Sequence, residues 1–186
     1  MKTKAILFTA LVAGALALPV LGTTIPRLDL PTLVARSCRI FQGTVEAIGG
    51  EVVTEEGQRR PYTMVRVRVD DPMKSRCRDQ RQTVLIRHLG GKLDTARGPV
   101  EVSISGMPQF RVGDNVILFL SQSSDGTNHQ VVGLNQGKYL VENQVAISNV
   151  TGVELVDPTT GKPVPGGYTQ SANVEAFKTR IRELVK

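Results

Sequence analysis

Two cysteines, two histidines and one dense run of arginines are the side chains of this 186-residue sequence best equipped for chemistry. A thiol nucleophile or a thiolate metal site needs a histidine at matching spacing. His88 and His129 are isolated, and neither sits in a recognisable frame. The plainer reading pairs Cys38 with Cys77 in one disulfide closing a loop of about 40 residues, with two free buried thiols as the alternative.

The arginine run is the strongest compositional signal. Between Arg59 and Arg87 lie nine basic residues and three acids, Asp70, Asp71 and Asp79. Arg66, Arg68 and Arg87 fall at strand positions of common parity, so they are expected on one outer face, with Arg76 and Arg78 continuing the cluster through a charged loop. A face of that kind binds a polyanion through released counterions, or it is a solvated face held by inter-strand ion pairs. Single-stranded nucleic acid would require stacking aromatics between the charges, and only Tyr62 lies in the window. An acidic glycan, a lipid headgroup or an acidic protein surface suits it better.

Two further segments resemble sites at first reading. Gly106-Met107-Pro108-Gln109-Phe110-Arg111-Val112-Gly113-Asp114 has neither the spacing nor the Lys-Ser/Thr of a phosphate loop, and reads as structural turns. Arg87-His88-Leu89-Gly90-Gly91 sets a histidine beside glycines but has no nucleophile frame with it. His129 follows a polar loop and is expected to be exposed. Asn149-Val150-Thr151 matches a glycosylation sequon. No catalytic residue, metal site or cofactor is assigned.

These residues depend on a valine-rich body. With five Phe, three Tyr and no Trp, the core must come from Val, Ile and Leu, which favours strands. The first 22 residues stand apart. Lys2 and Lys4 precede an apolar run from Ala5, and small residues then follow at signal-peptidase spacing near Ala13 to Gly22. A cleaved signal peptide over 1–22 and a single domain over 23–186 are expected, in the periplasm or outside the cell. Cleavage would lower the net charge from +6 to +4, because two Lys leave (23 − 2 = 21 against 17 acids).

Asp29 caps a predicted short helix through Ser37, with Leu30, Leu33 and Val34 on one face. Alternating strands follow. Ile40 to Ala47 ends at Gly49-Gly50, Thr54 to Arg60 forms a polar turn, and Tyr62 to Val69 stops at Asp71-Pro72. Further strands are expected at Thr83–Leu89, around Val100 to Ile104, at Val116–Leu120 with both faces buried, at Val131-Val132 and at Lys138–Val141. Gly133 and Gly137 mark bulges, and Val145 to Val156 is read as a hairpin. Asp157 to Gly167 is loop. A C-terminal amphipathic helix capped by Ser171 or Asn173 buries Val174, Phe177, Ile181 and Leu184, with Lys178, Arg180, Arg182 and Lys186 outside. The fold class is mainly β, a small antiparallel barrel of six or more strands with a helix near each end.

Leu33-Val34-Ala35-Arg36-Ser37 running into Ile40-Phe41-Gln42-Gly43-Thr44-Val45 resembles a group of uncharacterised exported bacterial proteins. So do Gly106 to Phe110, Gly113 to Leu120 and Val132 to Tyr139. The resemblance covers most of residues 28–185. The helix, the serine and the Gly-Thr-Val strand are also similar to netrin-like and tissue-inhibitor-of-metalloprotease domains, which implies an OB-like barrel. Inhibition does not carry over, because that family's reactive N-terminal cysteine and its several disulfides are absent. The leading expectation is an exported, non-enzymatic binding or accessory domain. A protease-associated accessory or inhibitor protein and a hydrolytic enzyme with an unrecognised site are the alternatives.

Overall fold

The structure, a computed structural model, describes residues 24–77, 81–123, 126–164 and 168–186. The expected leader lies outside them, as does Arg78. Strand accounts for 56% of the described residues. In order come β1 (Thr24–Pro26), α1 (Leu30–Arg36), β2 (Arg39–Glu55), β3 (Gln58–Ser75), β4 (Thr83–Leu89), β5 (Gly91–Thr95) and β6 (Gly98–Val102). Then follow β7 (Asn115–Gln122), β8 (His129–Val131), a 3-10 turn (Leu134–Gly137), β9 (Lys138–Glu142) and β10 (Val145–Val150). β11 (Glu154–Val156), β12 (Pro163–Val164), β13 (Tyr168–Asn173) and α2 (Val174–Val185) complete the chain.

The main sheet runs β13-β10-β9-β7-β2-β3-β4-β8, and β8 pairs with β7 as well. The pairing therefore returns on itself through β8, but irregularly: β8 is three residues long and meets β4 at one position, Ile86 opposite His129. A regular barrel is not formed. β1, β11 and β12 make a small separate sheet, and β5 with β6 makes a third.

β7 explains how one sheet carries two cores. Its five central residues, Val116 to Leu120, are fully buried, because alternate side chains enter opposite layers. Ile117 and Phe119 join Ile40, Leu33, Phe177 and Ile181 beneath the helices, whereas Val116, Leu118 and Leu120 join Phe41, Val65, Val67 and Ile86 on the other side. Both helices form as the sequence predicts. The Asp29 carboxylate accepts from Thr32 N at 2.9 Å, and the Asn173 side chain accepts from Glu175 N and Ala176 N.

Several boundaries move. β2 does not end at Gly49-Gly50, which pair in register with Met64 and Thr63, and only Glu56-Gly57 turns the hairpin. Two exposed glycines with nothing to clash against cannot stop a strand whose neighbour continues. Pro72 does not stop β3 either. A register shift absorbs it opposite Phe41, so Lys74 lies in the strand, buried, with its ammonium on the Val34 carbonyl at 2.6 Å. Gly43 permits this crossing, since a Cβ there would meet the Arg68 carbonyl oxygen at 2.2 Å.

Leu134–Gly137 forms the 3-10 turn, with Gly133 at its N-terminal boundary, rather than bulged strand. The expected hairpin over Val145 to Val156 divides between two sheets: β10 pairs with β9 and β13, and β11 with β1 and β12. Lys178 is buried rather than solvated. Its ammonium lies 2.8 Å from both Asp71 and Glu175, and Arg182 grips Asp71 with contacts of 2.7 and 2.8 Å.

Candidate functional site

The sheet opens where β4 and β8 part. Beyond Ile86, Arg87 to Leu89 continue β4 with β3 on one side and, among the described residues, no strand on the other. Gly90 and Gly91, at φ 114° and 132°, then swing the chain into β5, a conformation other residues rarely adopt. A cleft of about 660 Å³ occupies this seam. Its lining includes Gln122 at the end of β7, Asn128 and Gln130 around β8, and the apolar Leu89, Met107 and Pro108.

Glu55, Tyr62 and Arg87 border the cleft as one network. The Tyr62 hydroxyl donates to Glu55 Oε2 at 2.8 Å, and the Arg87 guanidinium lies 3.7 Å from the Tyr62 ring centre. Arg87 also approaches Glu55 at 3.4 Å and Glu51 at 3.8 Å, and Arg60 sits 3.9 Å from Glu55. Burial, and then the Glu55 hydrogen bond, push the Tyr62 phenol above its ordinary value, so it stays a protonated donor at neutral pH. Two arginines against two glutamates leave the cluster locally neutral.

His88 points to the other face of β4 and reaches the cleft edge beside Phe110, their rings 6.3 Å apart and nearly parallel. Its Nδ1 is 3.5 Å from the Leu89 carbonyl, and among the described residues no hydrogen bond joins it to a carboxylate. Burial holds the imidazole below its ordinary value, against a smaller upward pull from that carbonyl. A folded value below the unfolded one means that the unfolded chain takes up the proton first. Stability is therefore unaffected above about pH 6.5 and falls as the pH drops below it. Thermal melts between pH 7.5 and 5 should show that loss, and a His88→Phe variant should show a shallower one. An unchanged slope would place His88 in solvent.

The register does bring Arg66, Arg68 and Arg87 to one face, opposite Leu85, Thr83 and Met64 respectively. Each has a carboxylate partner: Arg66 with Glu46 at 3.7 Å, Arg68 with Asp70 at 2.8 Å, Arg87 as above. Arg76 lies elsewhere, donating to the Val185 carbonyl at the end of α2 at 3.2 Å. Cys38 and Cys77 form the expected disulfide, Cα to Cα 5.0 Å. His129 is 1% exposed, not solvated, because its strand closes the sheet between β4 and β7.

Sequence reasoning passed over Glu55 and the cleft residues Gln122, Asn128 and Gln130. Glu55 falls in the predicted polar turn, and nothing local reveals that β8 will lie beside β4. The lone Tyr62 among arginines was the available signal. Among the described residues no group of three or more His, Cys, Asp or Glu is placed to hold a metal ion, and no helix is long and apolar enough to cross a membrane. Comparison with protein-family models, with curated proteins and with solved structures finds no match.

Proposed function

We propose that this chain is an exported, non-enzymatic binding domain on an OB-like barrel, and that the cleft between β4 and β8 holds an extended polypeptide segment of a partner. The observation carrying the proposal is the edge of β4. At Arg87 to Leu89 a strand with one free side borders a cleft, so main-chain groups there can pair with an added strand while Leu89, Met107 and Pro108 take its apolar side chains. Two of the polar groups at the cleft favour binding over catalysis because they are already engaged. The Tyr62 hydroxyl donates to Glu55, and His88 is stacked on Phe110. Ion pairing of Arg66 and Arg68 likewise favours the solvated-face reading over capture of a polyanion. The disulfide suits an oxidising compartment outside the cytoplasm, in keeping with a cleaved leader.

A titration of the labelled protein with a pool of short unstructured peptides, and separately with heparin, tests this reading by amide chemical shifts. Peptides should move Arg87–Leu89 and Gln130–Val131 in a saturable way. Shifts confined to Arg66 and Arg68 under heparin, with none in the cleft under peptide, would replace it with a polyanion-binding face.

A further inference from the structure

The β2–β3 hairpin extends beyond the body, and its outer edge has a feature that the chain's own packing does not explain. β7 pairs with β2 only from Arg39 to Thr44, and Val45 then exchanges main-chain hydrogen bonds with Gly113 and Asp114. Among the described residues no strand lies beside β2 after that. In this open stretch stand Gly49 and Gly50, neither of them at positive φ, and an added Cβ at either would meet nothing within 4 Å. Glycine weakens a strand interior, and where no bend or internal close contact requires it, what remains is close approach of a ligand or of another backbone. Ile48 and Val52, on either side, are 39% and 41% exposed.

The hairpin turn fixes which main-chain groups point outward. Glu56 and Gly57 both have positive φ, 51° and 75°, which makes a two-residue turn of the primed kind with Glu55 opposite Gln58. In such a hairpin the pair flanking the turn exchanges both hydrogen bonds, and bonded pairs recur at every second residue. Glu55, Val53, Glu51 and Gly49 thus bond to β3, while Thr54, Val52, Gly50 and Ile48 turn their N–H and C=O outward. Pro61, opposite Val52, confirms the phase: its carbonyl points away from β2 and accepts from Gly90 N at 2.9 Å.

We infer that β2 pairs edge to edge with β2 of a second copy of this chain, antiparallel, about a two-fold axis at Gly50. That register sets Gly50 opposite Gly50, with main-chain groups in the right phase. It also places Ile48 opposite Val52 on one face, and Ala47 opposite Val53 on the other. Glu51 meets Gly49 across the axis, so no carboxylate faces another. Each pair across Gly50 is compatible in size and charge, which is the self-complementarity an isologous contact demands and a foreign strand would not require. A register centred on Gly49 would set Ala47 against Glu51 and put the main-chain groups out of phase. The contact is short, so the dimer is weak and concentration-dependent.

The mature chain should show monomer–dimer exchange by sedimentation at micromolar to millimolar concentrations, and Val52→Lys should be monomeric throughout. The register has its own test in single cysteines, since the native pair leaves no free thiol. Cα atoms of a directly opposed bonded pair lie about 5.5 Å apart, within disulfide range, whereas the two copies of residue 49 are diagonal neighbours. Gly50→Cys should therefore cross-link at least about ten-fold faster than Gly49→Cys under mild oxidation. Both positions have room for the side chain, so neither substitution threatens the fold. Equal cross-linking rates, or a wild-type chain that stays monomeric at every concentration, would overturn the inference.

Discussion

Replacing Cys38 and Cys77 together by alanine is expected to lower the free energy of unfolding by about 4 kcal/mol, or roughly 10–15 °C in melting temperature. The bond joins the start of β2 to the residue two beyond the end of β3, so its loop of 39 residues contains the whole long hairpin. The folded geometry survives the change. Cys38 N still donates to the Leu120 carbonyl at 2.9 Å, and Arg76 N to the Cys38 carbonyl at 2.7 Å. The loss therefore falls on the unfolded chain, which regains the freedom that the closed loop denied it. Urea unfolding with and without reductant measures the difference. A change below about 1 kcal/mol would mean that the unfolded hairpin keeps its ends together without the bond.

Asp71→Asn carries the second large effect, about 2–3 kcal/mol. Asp71 in β3 holds α2 by charge, through Lys178 and Arg182. Burial alone would raise its carboxyl, but the hydrogen bonds from Lys178 and Arg182 together hold it below the usual carboxylate range. Lys178 is buried too, which would lower its ammonium, yet Asp71 and Glu175 together hold it above the ordinary lysine value. Removing the Asp71 charge strands a buried ammonium with Glu175 and the Gln42 amide oxygen as its remaining partners. Arg182→Ala should cost under about 1 kcal/mol by comparison, because that side chain is 42% exposed. Since the folded Asp71 carboxyl is the stronger acid, its contribution is complete at neutral pH and disappears as the pH falls through the carboxylate range. Melts of the two variants at pH 7 distinguish these magnitudes, and equal losses would show that α2 is held by Phe177 and Ile181 alone.

Local physics was readable from the chain, and long-range pairing was not. The Asp29 helix cap, the period-two burial of Val65 and Val67, and the fully buried run Val116–Leu120 follow from residue type and spacing alone, whereas the structure chooses Asn173 over Ser171 as the second cap. The common face of Arg66, Arg68 and Arg87 follows from parity, but the carboxylates that answer them come from a different strand (Glu46, Glu51), from the predicted polar turn (Glu55) or from just past the predicted strand end (Asp70). Pro72 and Gly49-Gly50 misled for one shared reason. Each is a local breaker overruled by a neighbouring strand that continues, in one case with a bulge and in the other with none. The cleft was illegible because it depends on β8 arriving beside β4 from beyond a polar loop, a junction of a single residue pair.

The most direct test of the cleft is calorimetric titration of the tightest-binding peptide from the pool against three proteins: wild type, Gln130→Trp and Arg66→Glu/Arg68→Glu. Gln130 is exposed on β8, so tryptophan there fills the cleft without entering the core. Binding that is lost in Gln130→Trp and unchanged in the arginine variant is the predicted result. Binding that survives the tryptophan but fails with the arginines reversed would contradict the account, and would move the site to the charged face of β3.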